Sequence, residues 1–279
     1  MKKFGLIGHP ISHSLSPVLF KAAYGGKYSY DLIEGEDFEK SYLRFIEEYE
    51  TINVTAPFKE LACAKADRAS NECIAVGAAN ILRKTEGVST IYADNSDIAG
   101  VTGALRTAGI DESKPGKALI VGCGGAAMAA TYAVWAELGY STVVANRNFE
   151  KAKNFVERMT AARPASPLLT ASPLDGMDQH ICESDVIIYT LPIAIPALDR
   201  LWQTALQDIR PDKENSGKII LEANYKDPAF TPEMLERMHM INPEIRYISG
   251  KEWLLHQAIG AYKSFTGEEP NIEAMRKVL

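Results

Sequence analysis

The apolar run Lys117-Ala118-Leu119-Ile120-Val121 leads directly into Gly122-Cys123-Gly124-Gly125-Ala126-Ala127. A helix-period stretch to Leu138-Gly139 comes next, and then Ser141-Thr142-Val143-Val144-Ala145-Asn146. Strand, glycine turn, helix and strand in this order are the context in which G-x-G-x-x-A holds a dinucleotide. Gly122 permits the tight turn and Gly124 lets the backbone approach a pyrophosphate. Ala127 keeps the helix close to the sheet, with the helix N-terminus facing the phosphates. A glycine turn with packing duties only is the alternative, and the complete strand-helix-strand frame weighs against it.

Around this unit, apolar runs alternate with amphipathic stretches almost from end to end, the α/β signature. Strands are expected over residues 4–7, 28–33, 51–54, 118–121, 142–145, 186–190, 218–221 and 245–248, with 81–82 pairing back on 90–92. Helices are expected over 17–24, 38–48, 98–108, 126–138, 150–159 and 253–265. The polar, Pro- and Gly-bearing stretch 109–117 precedes a strongly apolar strand and marks the start of a second folding unit there or one helix earlier. The polar stretch 208–217 reads as a loop within that unit. A length of 279 residues suffices for two domains, each with its own core.

The choice of dinucleotide rests on the residues after the second strand. An NAD site usually places Asp or Glu about 20 residues past the glycines, where it binds the ribose hydroxyls. Here the chain reads Asn146-Arg147-Asn148, with Lys151 one helical turn beyond Arg147. No carboxylate at that strand end repels a 2′-phosphate, and a guanidinium is available to bind it, so NADP is favoured. The alternative is that Arg147 and Lys151 belong to a solvated helix start.

Three polar segments of the first half remain. Gly8-His9-Pro10-Ile11-Ser12-His13-Ser14-Leu15-Ser16-Pro17 leads from a strand into a helix, with Ser16 expected at the N-cap and Pro17 at the first helical position. The segment reads either as a capping loop or as a carboxylate receptor, since free N–H groups and the helix dipole both favour an anion. Asn53-Val54-Thr55-Ala56-Pro57-Phe58-Lys59 ends a short strand, with Pro57 opening a helix and Lys59 in its first turn. The dipole opposes a lysine there, so a purely structural role is electrostatically poor. Asp94-Asn95-Ser96-Asp97 also ends a strand and starts a helix, with Asp97 a helix cap or a site residue. Open α/β sheets bind ligands beyond their strand C-termini, and both segments point there.

In this order the motifs resemble the shikimate dehydrogenase (shikimate/quinate dehydrogenase) family over nearly the whole chain. They are Ser14-Leu15-Ser16-Pro17, Asn53-Val54-Thr55-x-Pro57-x-Lys59, Gly77-Ala78-Ala79-Asn80, Asp94-Asn95-Ser96-Asp97-x-x-Gly100, Gly122-x-Gly124-Gly125-Ala126, Asn146-Arg147 and the late Gln257. The resemblance implies a substrate-binding α/β domain over residues 1–97 with 246–279 and a Rossmann-type NADP-binding domain over 98–245. The C-terminal helices would return to the first domain. It implies reversible NADP(H)-dependent reduction of 3-dehydroshikimate to shikimate, with Lys59 and Asp97 as the catalytic pair. Ser14 and Ser16 would hold the substrate carboxylate, Thr55, Asn80, Asp97 and Gln257 the ring hydroxyls, and Tyr225 matches a family tyrosine near the substrate. Gly122, Gly124, Gly125, Ala126, Asn146, Arg147 and Lys151 would hold the cofactor.

Some positions depart from the family pattern. Ser96 and Asn148 stand where Thr is usual, and Lys151 stands where Arg is common. Tyr189-Thr190-Leu191-Pro192 replaces Asn-Ala-Thr-Pro at the strand end facing the cofactor, so nicotinamide-side contacts are not carried over. The nearest rival is an NAD-using quinate/shikimate dehydrogenase, disfavoured by Arg147 and the missing acid. A non-catalytic NADP(H)- or metabolite-sensing protein is a rival of another class, opposed by the presence of both Lys59 and Asp97.

Thirty Lys+Arg against 36 Asp+Glu give a formal charge of -6, which disfavours a nucleic-acid partner. No apolar run approaches the roughly 18 residues a membrane span needs. Four cysteines without CxxC spacing fit a reducing cytoplasm, and the five histidines lack metal-site spacing, so no metal is expected. The expected partners are a small-molecule substrate and NADP, on a monomer or homodimer.

Overall fold

Two six-stranded sheets organise the chain, one in each of two units: Met1–Gly100 with Leu254–Leu279, and Val101–Trp253. The computed structural model describes residues 2–85, 90–163, 167–195, 198 and 217–279.

The first unit runs through β1 (Lys3–Gly8), α1 (Ser16–Tyr24), β2 (Ser29–Glu34), α2 (Phe38–Glu48), β3 (Thr51–Val54) and α3 (Lys59–Lys65). It continues through β4 (Arg68–Ala69), α4 (Asn71–Val76), β5 (Ile81–Lys84) and β6 (Ile91–Asp94) to the start of α5 (Asp97–Thr107). The strand order is β2-β1-β3-β5-β6-β4, with β1 parallel to both neighbours and β5 antiparallel to both of its own. Side chains alternate faces along a strand, and β1 shows the consequence. Phe4 joins a core with Phe20, Leu255, Tyr262 and Phe265, whereas Ile7 joins another with Phe45, Tyr49, Ile52 and Leu82. The sheet is therefore covered on one face by α2, α3 and α4. Its other face is covered by α1, α10 (Gly250–Thr266) and α11 (Ile272–Arg276).

The second unit contains β7 (Lys117–Val121), α6 (Gly125–Thr131), β8 (Ser141–Asn146), α7 (Phe149–Ala162), β9 (Leu169–Pro173) and α8 (Met177–Glu183). β10 (Val186–Tyr189), β11 (Ile219–Glu222), α9 (Pro232–Ile241) and β12 (Arg246–Ile248) complete it. All strand pairs are parallel in the order β9-β8-β7-β10-β11-β12. This is the doubly wound order, whose direction of winding reverses between β7 and β10, the place where such sheets bind nucleotides.

Several expectations need correction. The helix expected over 126–138 is α6 followed by a π-helical segment, Tyr132–Glu137. The strands β4 and β9 and the helices α4, α8, α9 and α11 lie outside the expected elements, although Ser70 caps α4 and Thr231, before Pro232, caps α9. Ser16 does not cap α1: it is the first helical residue, Leu15 occupies the cap without a side-chain bond, and the Ser14 hydroxyl accepts from the Ser16 N–H at 3.2 Å instead. Pro57 precedes α3, which Lys59 opens. The loop expected over 208–217 lies, but for Gly217, outside the described residues.

Candidate active site

β1, β3 and β6 end on one edge of the first sheet, and β5, running the other way, begins there. Asn80 precedes β5, and its backbone N–H and C=O bond Asp94 and Val54 across that edge. Gly8 is required here by close approach, since a Cβ would lie 2.4 Å from Thr55 Cγ2 and 2.7 Å from Ile11 Cγ2.

The edge carries a connected set of polar side chains. Lys59, at the first position of α3, places Nζ 2.6 Å from Asp97 Oδ2 at the first position of α5. The Asp97 side chain is 7% exposed and that of Lys59 24%, so the pair is shielded yet reachable from one side. Asn80 Nδ2 donates to the other carboxylate oxygen at 2.9 Å, while Asn80 Oδ1 accepts from the Ser96 N–H at 2.8 Å. Asn95 Oδ1 accepts from the Asp97 N–H at 2.9 Å, and Asn95 Nδ2 donates to the Ala78 carbonyl at 2.8 Å. Buried amides satisfied in this way hold one geometry, because each alternative leaves a buried polar atom unpaired.

Tyr30 and Asn53 belong to the same network, and sequence reasoning assigned neither a role at the site. The Tyr30 hydroxyl donates to Asn53 Oδ1 at 2.8 Å, and Asn53 Nδ2 donates to the Asn80 carbonyl at 3.1 Å. Tyr262 on α10 donates to the Ser16 carbonyl at 3.0 Å. Burial pushes both tyrosine hydroxyls well above their ordinary range, and a hydrogen bond with Ser16 opposes it. Ser14 donates to Ser16 Oγ at 3.2 Å, so the two hydroxyls sit together at the start of α1. Gln257 is half-buried on α10. A Cβ on Gly260, one turn further along that helix, would lie 3.9 Å from Ser96 Cβ. Residues three apart share a helix face, so Gln257 sits on the face that meets the Ser96 side of the site.

The second unit carries the nucleotide-binding features. Gly122 has φ +110°, and a Cβ there would meet Thr190 Oγ1 at 2.5 Å. Thr190 itself donates from Oγ1 to the Val121 carbonyl at 2.7 Å, which pins β10 to β7 at the reversal point. By contrast, a Cβ on Gly124 or Gly125 would meet nothing within 4 Å. The loop is thus packed beneath and open at the start of α6, the shape a pyrophosphate needs. Asn148 caps α7 by accepting from the Lys151 N–H at 3.0 Å, and Asn146 donates to the Asn148 carbonyl at 3.0 Å.

Arg147 and Lys151 are exposed and form no ion pair among the described residues, whereas Glu150 pairs with Lys153. Two cations at a helix N-terminus oppose its dipole, and an anion bound between them offsets that cost. Burial raises the Cys123 thiol, and the Lys151 charge opposes it. These residues fit an NADP pyrophosphate and 2′-phosphate.

The departure at Tyr189-Thr190 is structural. Tyr189 is buried, donates to the Ile193 carbonyl at 2.7 Å and accepts from the Ile195 N–H at 3.2 Å, bracing the loop after β10. Tyr225 is half-buried in the loop after β11, in the second unit. Asn224 organises that loop, accepting from the N–H groups of Lys226 and Asp227. The buried Glu222 closes its far end by accepting from Ala229 N–H and from the Tyr247 hydroxyl.

A family model described as the shikimate dehydrogenase substrate binding domain matches residues 6–82, and one described as shikimate / quinate 5-dehydrogenase matches residues 105–212. A Maricaulis maris protein named shikimate dehydrogenase (NADP(+)) is 31% identical over 99% of this chain and 94% of its own length. The Mycobacterium tuberculosis shikimate dehydrogenase crystal structure superposes with a TM-score of 0.78 at 31% identity, covering 100% of this chain and 98% of that one. A Thermus thermophilus shikimate 5-dehydrogenase in complex with NADP(H) and shikimate gives 0.78 at 25% identity, with 100% of both chains covered.

Proposed function

This chain belongs to the shikimate dehydrogenase family, and we propose on that premise that Lys59 and Asp97 are the catalytic pair of its NADP-dependent reaction. The reaction we infer is the reversible reduction of 3-dehydroshikimate to shikimate, in keeping with relatives named shikimate dehydrogenase (NADP(+)). The observation that carries the residue assignment is the 2.6 Å Lys59–Asp97 contact, with the carboxylate buried and held on its other oxygen by Asn80.

Lys59 Nζ gives a proton to the developing alkoxide oxygen in the reductive direction and takes it back in the oxidative one. Asp97 Oδ2 fixes the direction of the ammonium, and the Asn80 amide on Oδ1 prevents the carboxylate from rotating away. NADP, when bound, supplies the hydride chemistry. Ser14 and Ser16 receive the substrate carboxylate at the start of α1, where the helix dipole favours an anion. Thr55, Asn80 and Gln257 select the ring hydroxyls, and Arg147 with Lys151 selects the 2′-phosphate. The four cysteines are unpaired, which suits a reducing cytoplasm, and among the described residues no helix is long and apolar enough to cross a membrane.

Purified protein given shikimate and NADP is expected to form NADPH, followed by absorbance, with NAD a poor substitute. Arg147→Ala should weaken NADP binding by about 10- to 10²-fold and leave NAD nearly unchanged. Absence of NADPH formation overturns the activity, and equal losses for both cofactors overturn the role of Arg147.

A further inference from the structure

Cys63 on α3 and Cys73 on α4 stand 10 residues apart in sequence, with their sulfurs 3.4 Å from each other. Neither belongs to the site described above. Cys63 is half-buried, while Cys73 is fully buried and lies 3.4 Å from the Ala78 carbonyl. The two helices that carry them also frame the site. Lys59 is one turn before Cys63 on α3, hence on the same face. The chain leaving α4 runs through Ala79, whose N–H donates to the Lys59 carbonyl at 2.9 Å, and then to Asn80.

We infer that Cys63 and Cys73 are a thiol-modification site that takes small disulfides, such as a glutathione-type disulfide, and closes to an intramolecular disulfide that slows turnover. The Cys63 thiolate, the reachable one, attacks one sulfur of RS–SR. A Cys63–S–SR bond forms, and RS⁻ departs and takes up the proton that Cys63 released. Cys73 then attacks the Cys63 sulfur, the Cys63–SR bond breaks, and the second RS⁻ leaves with the Cys73 proton. Two protein thiols are oxidised and one small disulfide is reduced to two RSH. Burial pushes the Cys73 thiol up, which disfavours the thiolate that the second step needs, and the 3.4 Å separation of the sulfurs offsets this by making the attack intramolecular.

A disulfide holds its sulfurs about 2.05 Å apart, so closing the bond brings the two sulfurs more than 1 Å nearer, and the part of that approach not taken up by side-chain rotation shifts α3 against α4. Lys59 lies on the element that moves. Displacing a positioned group on that scale costs up to about 10²-fold in rate, so the oxidised protein is expected to turn over at about one tenth of the reduced rate or less. This consequence rests on the Lys59 assignment, whereas formation of the bond does not.

The test incubates the full chain with excess oxidised glutathione and blocks remaining thiols with an alkylating agent. Intact mass and peptide mapping are then read beside turnover. The expected result is two blocked thiols instead of four, a Cys63–Cys73 peptide, and lost turnover that dithiothreitol restores. Cys63→Ser should keep its basal turnover and lose the sensitivity, and Cys73→Ser provides a second check. Four blocked thiols, a glutathione adduct that stays on Cys63, or a closed disulfide with unchanged turnover each overturn the inference. Should the disulfide form and slow turnover while Lys59→Ala stays fully active, the Lys59 assignment fails and the modification site stands.

Discussion

A single hydroxyl, that of Tyr30, ties β2 to the polar edge of the first sheet. Removing it in Tyr30→Phe leaves Asn53 Oδ1, buried with its residue, without its donor at 2.8 Å. An unpaired buried acceptor costs about 1–3 kcal/mol, so denaturant unfolding should show a stability loss of that order. Turnover should fall with it, because Asn53 is free to rotate away from the Asn80 carbonyl. Unchanged stability and turnover would show that the tyrosine is only packing. Part of this site was legible in the sequence and part was not, for a physical reason. Lys59 and Asp97 stand out as polar groups beyond strand ends, Lys59 also because the helix dipole opposes it, whereas Asn80 came only from the family resemblance. Tyr30 and Asn53 do not, because their meaning is a bond between strands 23 residues apart, which no local pattern encodes. Ser16 shows the reverse error: the Ser-Pro pair reads as cap and first turn, but the helix starts one residue earlier, which puts Leu15 at the cap and leaves the Ser14 hydroxyl to accept from the Ser16 N–H.

Clear end signals did not suffice for every element: α4 is bounded by the Ser70 cap and Gly77, and α9 opens on the Thr231 cap and Pro232, yet neither was expected. The β7 turn into α6 was legible because a positive φ and a close contact both demand glycine at 122. Gly122→Ala brings a Cβ within 2.5 Å of Thr190 Oγ1 at φ +110°, a strain on the order of 1–3 kcal/mol. The variant should unfold at a lower temperature and bind NADP more weakly, while its first unit keeps the Lys59 environment. A midpoint and an NADP affinity equal to wild type would mean that the turn has slack. β9 escaped notice because Leu-Thr-Ala-Ser-Pro offers little apolar alternation and ends in proline, and it is the tertiary pairing with β8 that makes it a strand. The π-helical segment at Tyr132–Glu137 has no sequence signal that we can identify.

At the scale of the whole molecule, buried tyrosines are spread through both units. Burial raises Tyr49 in the first unit and Tyr140 and Tyr189 in the second to about 12, and Tyr30, Tyr247 and Tyr262 are raised as well. The folded state therefore keeps protons that the unfolded chain releases above about pH 10. The stability these groups contribute is full below that pH and is lost as pH rises through 12. The thermal midpoint should hold to about pH 10 and then drop steeply, with phenolate absorbance from these residues appearing together with unfolding. Phenolate absorbance rising well before unfolding would place these hydroxyls in contact with water.

In the proposed reaction, a lysine held by a buried carboxylate moves the proton that accompanies NADP-dependent hydride transfer. The most direct measurement of this step is single-turnover NADPH formation from shikimate in wild type and Lys59→Ala, with shikimate and NADP dissociation constants determined on the same preparations. A positioned acid/base is worth about 10²- to 10⁴-fold, so the rate should fall by that factor while both dissociation constants change little. A Lys59→Ala protein that forms NADPH at the wild-type rate would remove Lys59 from the proton transfer.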